Sequence, residues 1–218
     1  MTAKFINILV ACEESQVVTQ AFRKLGFNAF SCDIQPCKKG ANRAWHIWGD
    51  VTRFLGGDTC FQTIDGKLHK LSKWHLIIAH PPCTYLCKAS ATFMFPKGKI
   101  SEERYKLMLS AREFFLKCLE AKADYLAVEN PVPLKIARLP RPTTYVEPFW
   151  YGHKYSKKTC LWLRNLPPLF PTIINPTVKN FVRCSRGKYR ARTFTGVAEA
   201  MAKQWGDILI SEIKRKKK

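Results

Sequence analysis

Apolar residues fall along this chain in short unbroken runs set between polar turns. Phe5 to Ala11 (Phe-Ile-Asn-Ile-Leu-Val-Ala) is the first run, Asn28 to Cys32 the second, Leu76 to Ala79 the third and Tyr125 to Val128 the fourth. Runs this short, with no polar face, predict strands buried on both sides of a parallel sheet. Between the first two, Gln16 to Leu25 is amphipathic and stops at Gly26, which predicts a helix and completes a βαβ unit. Ser101 followed by Glu102, Glu103 and Arg104 marks a second helix start, running to Ala121. Its stripe of Leu107, Ala111, Phe114, Phe115, Cys118 and Leu119 has helical period and predicts core. Trp45 to Trp48 reads as a further strand, Val51 to Leu55 as a short helix and Gly196 to Ile213 as a closing helix. Strands alternating with helices predict an α/β fold, a mostly parallel sheet with helices on both faces.

The segments between are less regular. Gly56 to Lys73 carries Gly56-Gly57-Asp58 and Asp65-Gly66 and reads as a hairpin inserted outside the core. Thr84 to Lys99, with Pro96 and Gly98, reads as a mobile loop. Leu134 to Pro148 is basic and proline-rich, a connector across the surface. Phe149 to Leu163 predicts a hairpin with basic and aromatic residues interleaved at its bend, a pattern suited to phosphate contact and base stacking or to a lysine rim over an aromatic core. Leu166 to Pro176 carries four prolines and no periodicity.

Charge narrows the class. Of 218 residues, 37 are Lys or Arg against 16 Asp or Glu, a formal charge of +21 and a pI near 9.8. Removing the basic tail Lys214 to Lys218 still leaves about +16, so the body itself is basic and a polyanion, nucleic acid first, is the expected partner. Nine cysteines are an odd number at scattered spacings with no CxxC pair, which predicts free thiols in a reducing cytoplasm and no metal site. No signal peptide or spanning apolar stretch is present, so a cytoplasmic location without membrane association is expected.

Two strand ends carry candidate chemistry. Leu76 to Ala79 runs into His80-Pro81-Pro82-Cys83, where two prolines stop the strand and hold a thiol at its carboxyl end. That edge is where ligands bind in open α/β sheets. Tyr125 to Val128 ends in Glu129-Asn130-Pro131, a carboxyl at a second strand end in a proline turn. A thiol and a carboxyl so placed suit attack on a pyrimidine ring, and His80 is expected to line the site. Asp33 follows the second strand, where an acid can hold a nucleoside ribose or cap a turn. Asp50 follows Gly49 and suits an adenine amino group, a ribose hydroxyl or the cap of the helix from Val51.

In this order the pieces resemble the DNA cytosine-5 methyltransferases, most closely the short phage-type members. Pro82-Cys83 matches the family's Pro-Cys nucleophile motif, and Glu129-Asn130 its Glu-Asn-Val motif with Pro131 for the valine. Gly49-Asp50-Val51 matches the motif that contacts the cofactor adenine, and Asp33 falls at the ribose-binding acid. Gly152 to Thr159 aligns with Gly-Val-Pro-Gln-x-Arg-x-Arg, and Thr195-Gly196-Val197 with the closing Asn-Ser-Val. The matches cover nearly the whole chain. Three departures stand out. Cys12-Glu13-Glu14-Ser15-Gln16 replaces the glycine-rich cofactor loop, Lys157 and Thr159 replace the two motif arginines, and only Arg164 to Arg192 fills the place of a large target-recognition domain.

The resemblance implies a Rossmann-like S-adenosylmethionine-dependent methyltransferase fold. It implies a catalytic core at 1–163, a reduced target-recognition segment at 164–192 and a closing helix with basic tail at 193–218. It implies S-adenosylmethionine as cofactor and double-stranded DNA as partner, with a homodimer compatible with the small recognition segment. Catalysis falls to Cys83, which adds to cytosine C6, with Pro82, Glu129 and Asn130; Glu129 is expected to be protonatable through burial, and the basic field to lower the Cys83 pKa. Cofactor binding falls to Ala11, Cys12, Glu13, Ser15, Asp33, Ile34, Asp50, Val51, Pro81, Thr195 and Val197. DNA binding falls to Lys88, Tyr155, Lys157, Lys158, Thr159, Arg190 and Arg192, with Thr84 to Lys99 as the lid over a flipped base. Three rivals stand beside this reading: an amino-group methyltransferase, disfavoured by His80 and Cys83 flanking the prolines; a non-catalytic nucleic-acid-binding protein of the same fold; and the same chemistry on RNA.

Overall fold

A computed structural model describes residues 3–180 and 192–216. The first strand, β1 (Asn7–Ala11), is buried at every position. Because successive side chains of a strand point to opposite faces, Ile8 and Val10 enter one core while Leu9 and Ala11 enter another. The same holds for β2 (Asn28–Asp33), β6 (Leu76–Ala79) and the first half of β7 (Tyr125–Pro131). With β3 (His46–Trp48) these strands run parallel in the order β3-β2-β1-β6-β7. Beyond β7 the sheet adds β10 (Thr159–Arg164), antiparallel, and then the edge strand β8 (Thr144–Val146).

Helices cover both faces. α1 (Val17–Lys24), α5 (Thr195–Ala200) and α6 (Gly206–Lys216) pack over the Ile8 face through Val18, Phe22, Val197, Met201, Trp205 and Leu209. A π-helical turn, Met201–Trp205, joins α5 to α6. α2 (Thr52–Leu55) and α4 (Glu102–Leu119) cover the Leu9 face through Phe54, Leu55, Met108, Phe115 and Cys118. This is the Rossmann-like α/β fold expected. Strand order reverses between β1 and β6, which opens a crevice at their carboxyl ends.

Several local expectations are corrected. α4 turns most of the expected stripe to the core, with Phe115 and Cys118 buried and Ala111, Phe114 and Leu119 packed against it, but Leu107 is 40% exposed and its neighbour Met108 is buried instead. Ser101 caps this helix as expected, accepting from the Arg104 amide. The Gly56 to Lys73 insertion does form a hairpin, β4 (Cys60–Gln62) with β5 (Leu68–Lys70), yet it is tied into the core: Phe61 is buried and stacks on Trp74 with ring centroids 5.6 Å apart. The Leu134 to Pro148 connector supplies β8. Phe149 to Leu163 is no hairpin: β9 (Tyr155–Ser156) pairs in parallel with β11 (Lys179–Asn180), while β10 enters the main sheet. Thr84 to Lys99 is anchored rather than loose, holding α3 (Ala91–Met94) with Leu86 and Met94 fully buried.

Candidate functional site

The crevice at the switch point is a cleft of about 470 Å³. One wall is the turn after β1. Cys12 at φ +60° and Gln16 at φ +59° are both in the left-handed region, which costs a residue other than glycine roughly 1–2 kcal/mol. Surrounding bonds hold the turn in place. The Gln16 amide donates to Ser31 Oγ and the Asn42 carbonyl, and its oxygen accepts from the Asn42 amide at 2.8 Å. The Glu13 carboxylate accepts from the amides of Val18 and Thr19 and from the Thr19 hydroxyl, which caps α1. Burial pushes the Glu13 pKa up against those bonds and the nearby His80. The Glu13 side chain is thus committed to α1 while the residue still borders the cleft. Ser15 borders it too, with its hydroxyl near the Val17 amide.

Asp33 lines the next wall, accepting from the Gln35 amide at 2.8 Å; burial raises its pKa. Pro81 lines the cavity as well, whereas the other expected cofactor contacts are not among its lining residues. Asp50 is exposed and accepts both the amide and the hydroxyl of Thr52, the cap of α2, which hold its carboxyl below the usual range. Ile34 is 68% exposed, while Val51 and Ala11 are buried in the Leu9-side core. Val197 is buried in the opposite core and Thr195 lies near His153. Arg192 and Thr193 border the cleft instead.

The floor is where the two motif strands end side by side. Ala79 pairs with Val128, so His80 and Glu129 follow next to each other. His80 Nδ1 lies 3.3 Å from Glu129 Oε2. Glu129 is not at a turn: β7 continues to Pro131, because β10 pairs with it from Leu126 to Pro131. Burial alone would raise the Glu129 pKa, but His80, the charge of Lys157 and Thr159 outweigh it and hold the carboxyl below its usual range. This corrects the expectation of a carboxyl made protonatable by burial. Asn130 is fully buried, donating from Nδ2 to the Pro131 carbonyl.

Pro81 is buried, Pro82 exposed, and Cys83 half-buried in the same cleft. The chain turns back at once, with the amides of Leu86 and Cys87 donating to the Cys83 carbonyl. That turn brings Cys87 to Cys83. A hydrogen bond to Cys87, burial and the Glu129 charge push the Cys83 pKa well up, while the same bond and backbone amides hold Cys87 down. The expected lowering of Cys83 is therefore corrected: its neighbour thiol takes the lower position.

Of the residues expected to contact nucleic acid, Lys157 reaches the rim of the cleft with its amide on Glu147, and Thr159 is buried with its hydroxyl on the Lys157 carbonyl. Lys158 is exposed, its ammonium 3.8 Å above the Tyr145 ring. Tyr155 packs beside Phe194, and Lys88 is exposed. Arg190 lies outside the described residues. Sequence reasoning missed the Glu129–His80 contact and the hydrogen bond between Cys83 and Cys87. The i to i+4 cysteine spacing was the one visible signal among these.

Among the described residues no His, Cys, Asp and Glu side chains gather to hold a metal ion, and no helix is long and apolar enough to cross a membrane. No protein-family model matches the chain, and no curated protein does. Among solved structures, one from E. coli described as a candidate DNA modification methyltransferase encoded within a prophage is similar over 79% of this chain. It shares 15% identity with a TM-score of 0.43, and the match covers 53% of its length, so this chain spans about half of that protein.

Proposed function

We propose that this protein transfers a methyl group from S-adenosylmethionine to C5 of cytosine in DNA, through an adduct between Cys83 and C6 of a flipped-out base. One observation carries the reading: Cys83 and Glu129, from neighbouring parallel strands, line a single cleft with the turn after β1 at the point where strand order reverses. The residues present suit the cofactor. The left-handed backbone at Cys12 takes the conformation a glycine would supply, and Asp33 presents a carboxylate to the same cavity. Cys12, Ser15 and Asp33 would hold it, and when bound it supplies an electrophilic methyl group.

The protein's own groups account for the rest. The Cys83 thiol proton passes to its hydrogen-bonded neighbour Cys87 as the sulfur forms a bond to C6. Electron density moves onto the ring, C5 becomes nucleophilic, and N3 takes a proton from solvent. Glu129, ionised beside His80 and Lys157, accepts from the exocyclic amine and the protonated N3, stabilising charge where it develops. Once C5 carries the methyl group, its proton and the one on N3 return to solvent, the 5,6 double bond re-forms, and the Cys83 thiolate leaves and recovers its proton from Cys87. Flipping is required because C6 is shielded within a stacked duplex.

A second reading, a nucleic-acid-binding protein of this fold without turnover, is favoured by the raised Cys83 pKa. Nucleoside mass spectrometry on duplex DNA incubated with S-adenosylmethionine separates them. New 5-methylcytosine that vanishes with Cys83→Ala supports transfer; methyl on a ring amine, unaffected by that change, sinks the cytosine-5 chemistry. DNA binding with no methylated base moves the reading to the second.

A further inference from the structure

Beyond Cys83 the cleft does not end. A second cavity of about 470 Å³ lies on the other side of the thiol, sharing Cys83, Thr84, Pro131 and Lys157 with the first. It runs into a third of about 720 Å³, with Lys88, Val132 and Lys158 common to both. The result is one continuous trough leading away from the thiol. Six cations line its two outer cavities: Lys88, Arg104, Lys135, Arg141, Lys157 and Lys158. Among the described residues no carboxylate lines either of them, although the chain has 16 Asp and Glu. Such a track complements the charge of a phosphodiester backbone.

Aromatic rings stand along the same track. The Arg104 guanidinium lies 4.9 Å from the Tyr85 centroid and 5.3 Å from that of Phe93, and its Nη2 donates to the Thr84 carbonyl. This stack covers part of Phe93, yet the residue remains 64% exposed while lining the cavity, so aromatic surface stays available there. Tyr145, 41% exposed, stands further along under the Lys158 ammonium. A duplex presents base edges in its grooves and hides base faces within the stack, so an open aromatic face is of use only to an unpaired base.

We propose that this trough binds an unpaired DNA strand, with one base stacked on Phe93 and the backbone passing over Lys88 and Lys158 toward Arg141. The site concerns binding, and it stands whether or not the protein transfers methyl groups to cytosine. A preference for DNA with locally open pairing follows from it.

The test is fluorescence anisotropy with a short labelled oligonucleotide of mixed sequence, single-stranded and as its blunt duplex, across a salt series without cofactor. The single strand is expected to bind about tenfold tighter than the duplex, and Phe93→Ala to weaken single-strand binding by about tenfold with duplex binding unchanged. Phe93→Leu keeps apolar bulk but has no ring face, and it is expected to weaken binding as the alanine does. Replacing Lys88 and Lys158 together by alanine is expected to flatten the single-strand salt slope by about 0.7 for each phosphate that the protein then leaves unneutralised. Equal affinity for the two DNA forms, or wild-type single-strand binding by Phe93→Leu, overturns the proposal. Circular dichroism confirms that each variant is folded, and should the alanine variant fail, Phe93→Leu decides alone. A protein that binds the single strand through Phe93 yet makes no 5-methylcytosine would refute the proposed reaction and leave this site standing.

Discussion

His80 Nδ1 lies 3.3 Å from Glu129 Oε2, and this contact reverses what burial does to the carboxyl. A carboxyl closed off from water ordinarily resists ionisation, but here a hydrogen bond from the imidazole and a nearby lysine favour the charged form. Because the folded-state pKa is depressed, ionised Glu129 contributes stability above the ordinary carboxylate range, and that contribution is lost as pH falls through the folded pKa. The difference in melting temperature between wild type and Glu129→Gln is therefore expected to be largest near neutrality and to shrink in acid. Thermal melts at a series of pH values check this; a gap that widens in acid contradicts it.

Glu13 predicts a stability effect separate from chemistry. Its carboxylate satisfies two amides at the start of α1 and the Thr19 hydroxyl. Glu13→Ala is expected to lower unfolding free energy by about 1–2 kcal/mol, the usual cost of removing a helix cap. Glu13→Gln, which retains one acceptor oxygen, is expected to lose less. Urea titration followed by circular dichroism measures both, and a neutral alanine variant would count against the capping role.

Arg164 ties the end of α4 to the sheet. Its guanidinium donates to the carbonyl of Leu119, the last residue of the helix, and to those of Ala121 and Ala123 just past it. Arg164→Ala strands these acceptors and is expected to cost about 2 kcal/mol. Arg164→Lys, a single point donor in place of a planar fork, is expected to recover only part. The chemical denaturation midpoint reads out both changes; full recovery by lysine would show that charge alone suffices.

Gly196 marks a place where the backbone itself is the packing surface. A methyl group there would collide with the Tyr151 carbonyl and press on His153 Nε2, which accepts from the Gly196 amide at 3.0 Å. Gly196→Ala is expected to destabilise by about 1–3 kcal/mol despite the higher helix propensity of alanine. Gly206→Ala, where the methyl would meet the Phe27 ring edge at 2.7 Å, should be milder because a side chain can give way more readily than a carbonyl. Paired thermal melts rank the two, and an equal or reversed order contradicts the packing account.

Much of the fold was legible because burial on both faces leaves a local mark. β1, β2 and β6 are runs whose central residues are apolar or small, since most of their side chains enter one of two cores. α4 was legible in its limits and most of its core stripe but not at Leu107 and Met108, which are both apolar so that only packing against the sheet chooses between them. β8 and β10 were misplaced, since short antiparallel strands at a sheet edge take their identity from partners far along the chain.

The chain order alone placed a thiol and a carboxyl each just after a short apolar run, because proline stops and apolar runs act on adjacent residues. The electrostatic state of those groups was decided by the tertiary structure. His80 and Glu129 are 49 positions apart, so their contact exists only once β6 and β7 pair, and Lys157 and Thr159 join them only when β10 docks against β7. Ionisation depends on distance and dielectric, and neither is a property of a sequence read one segment at a time.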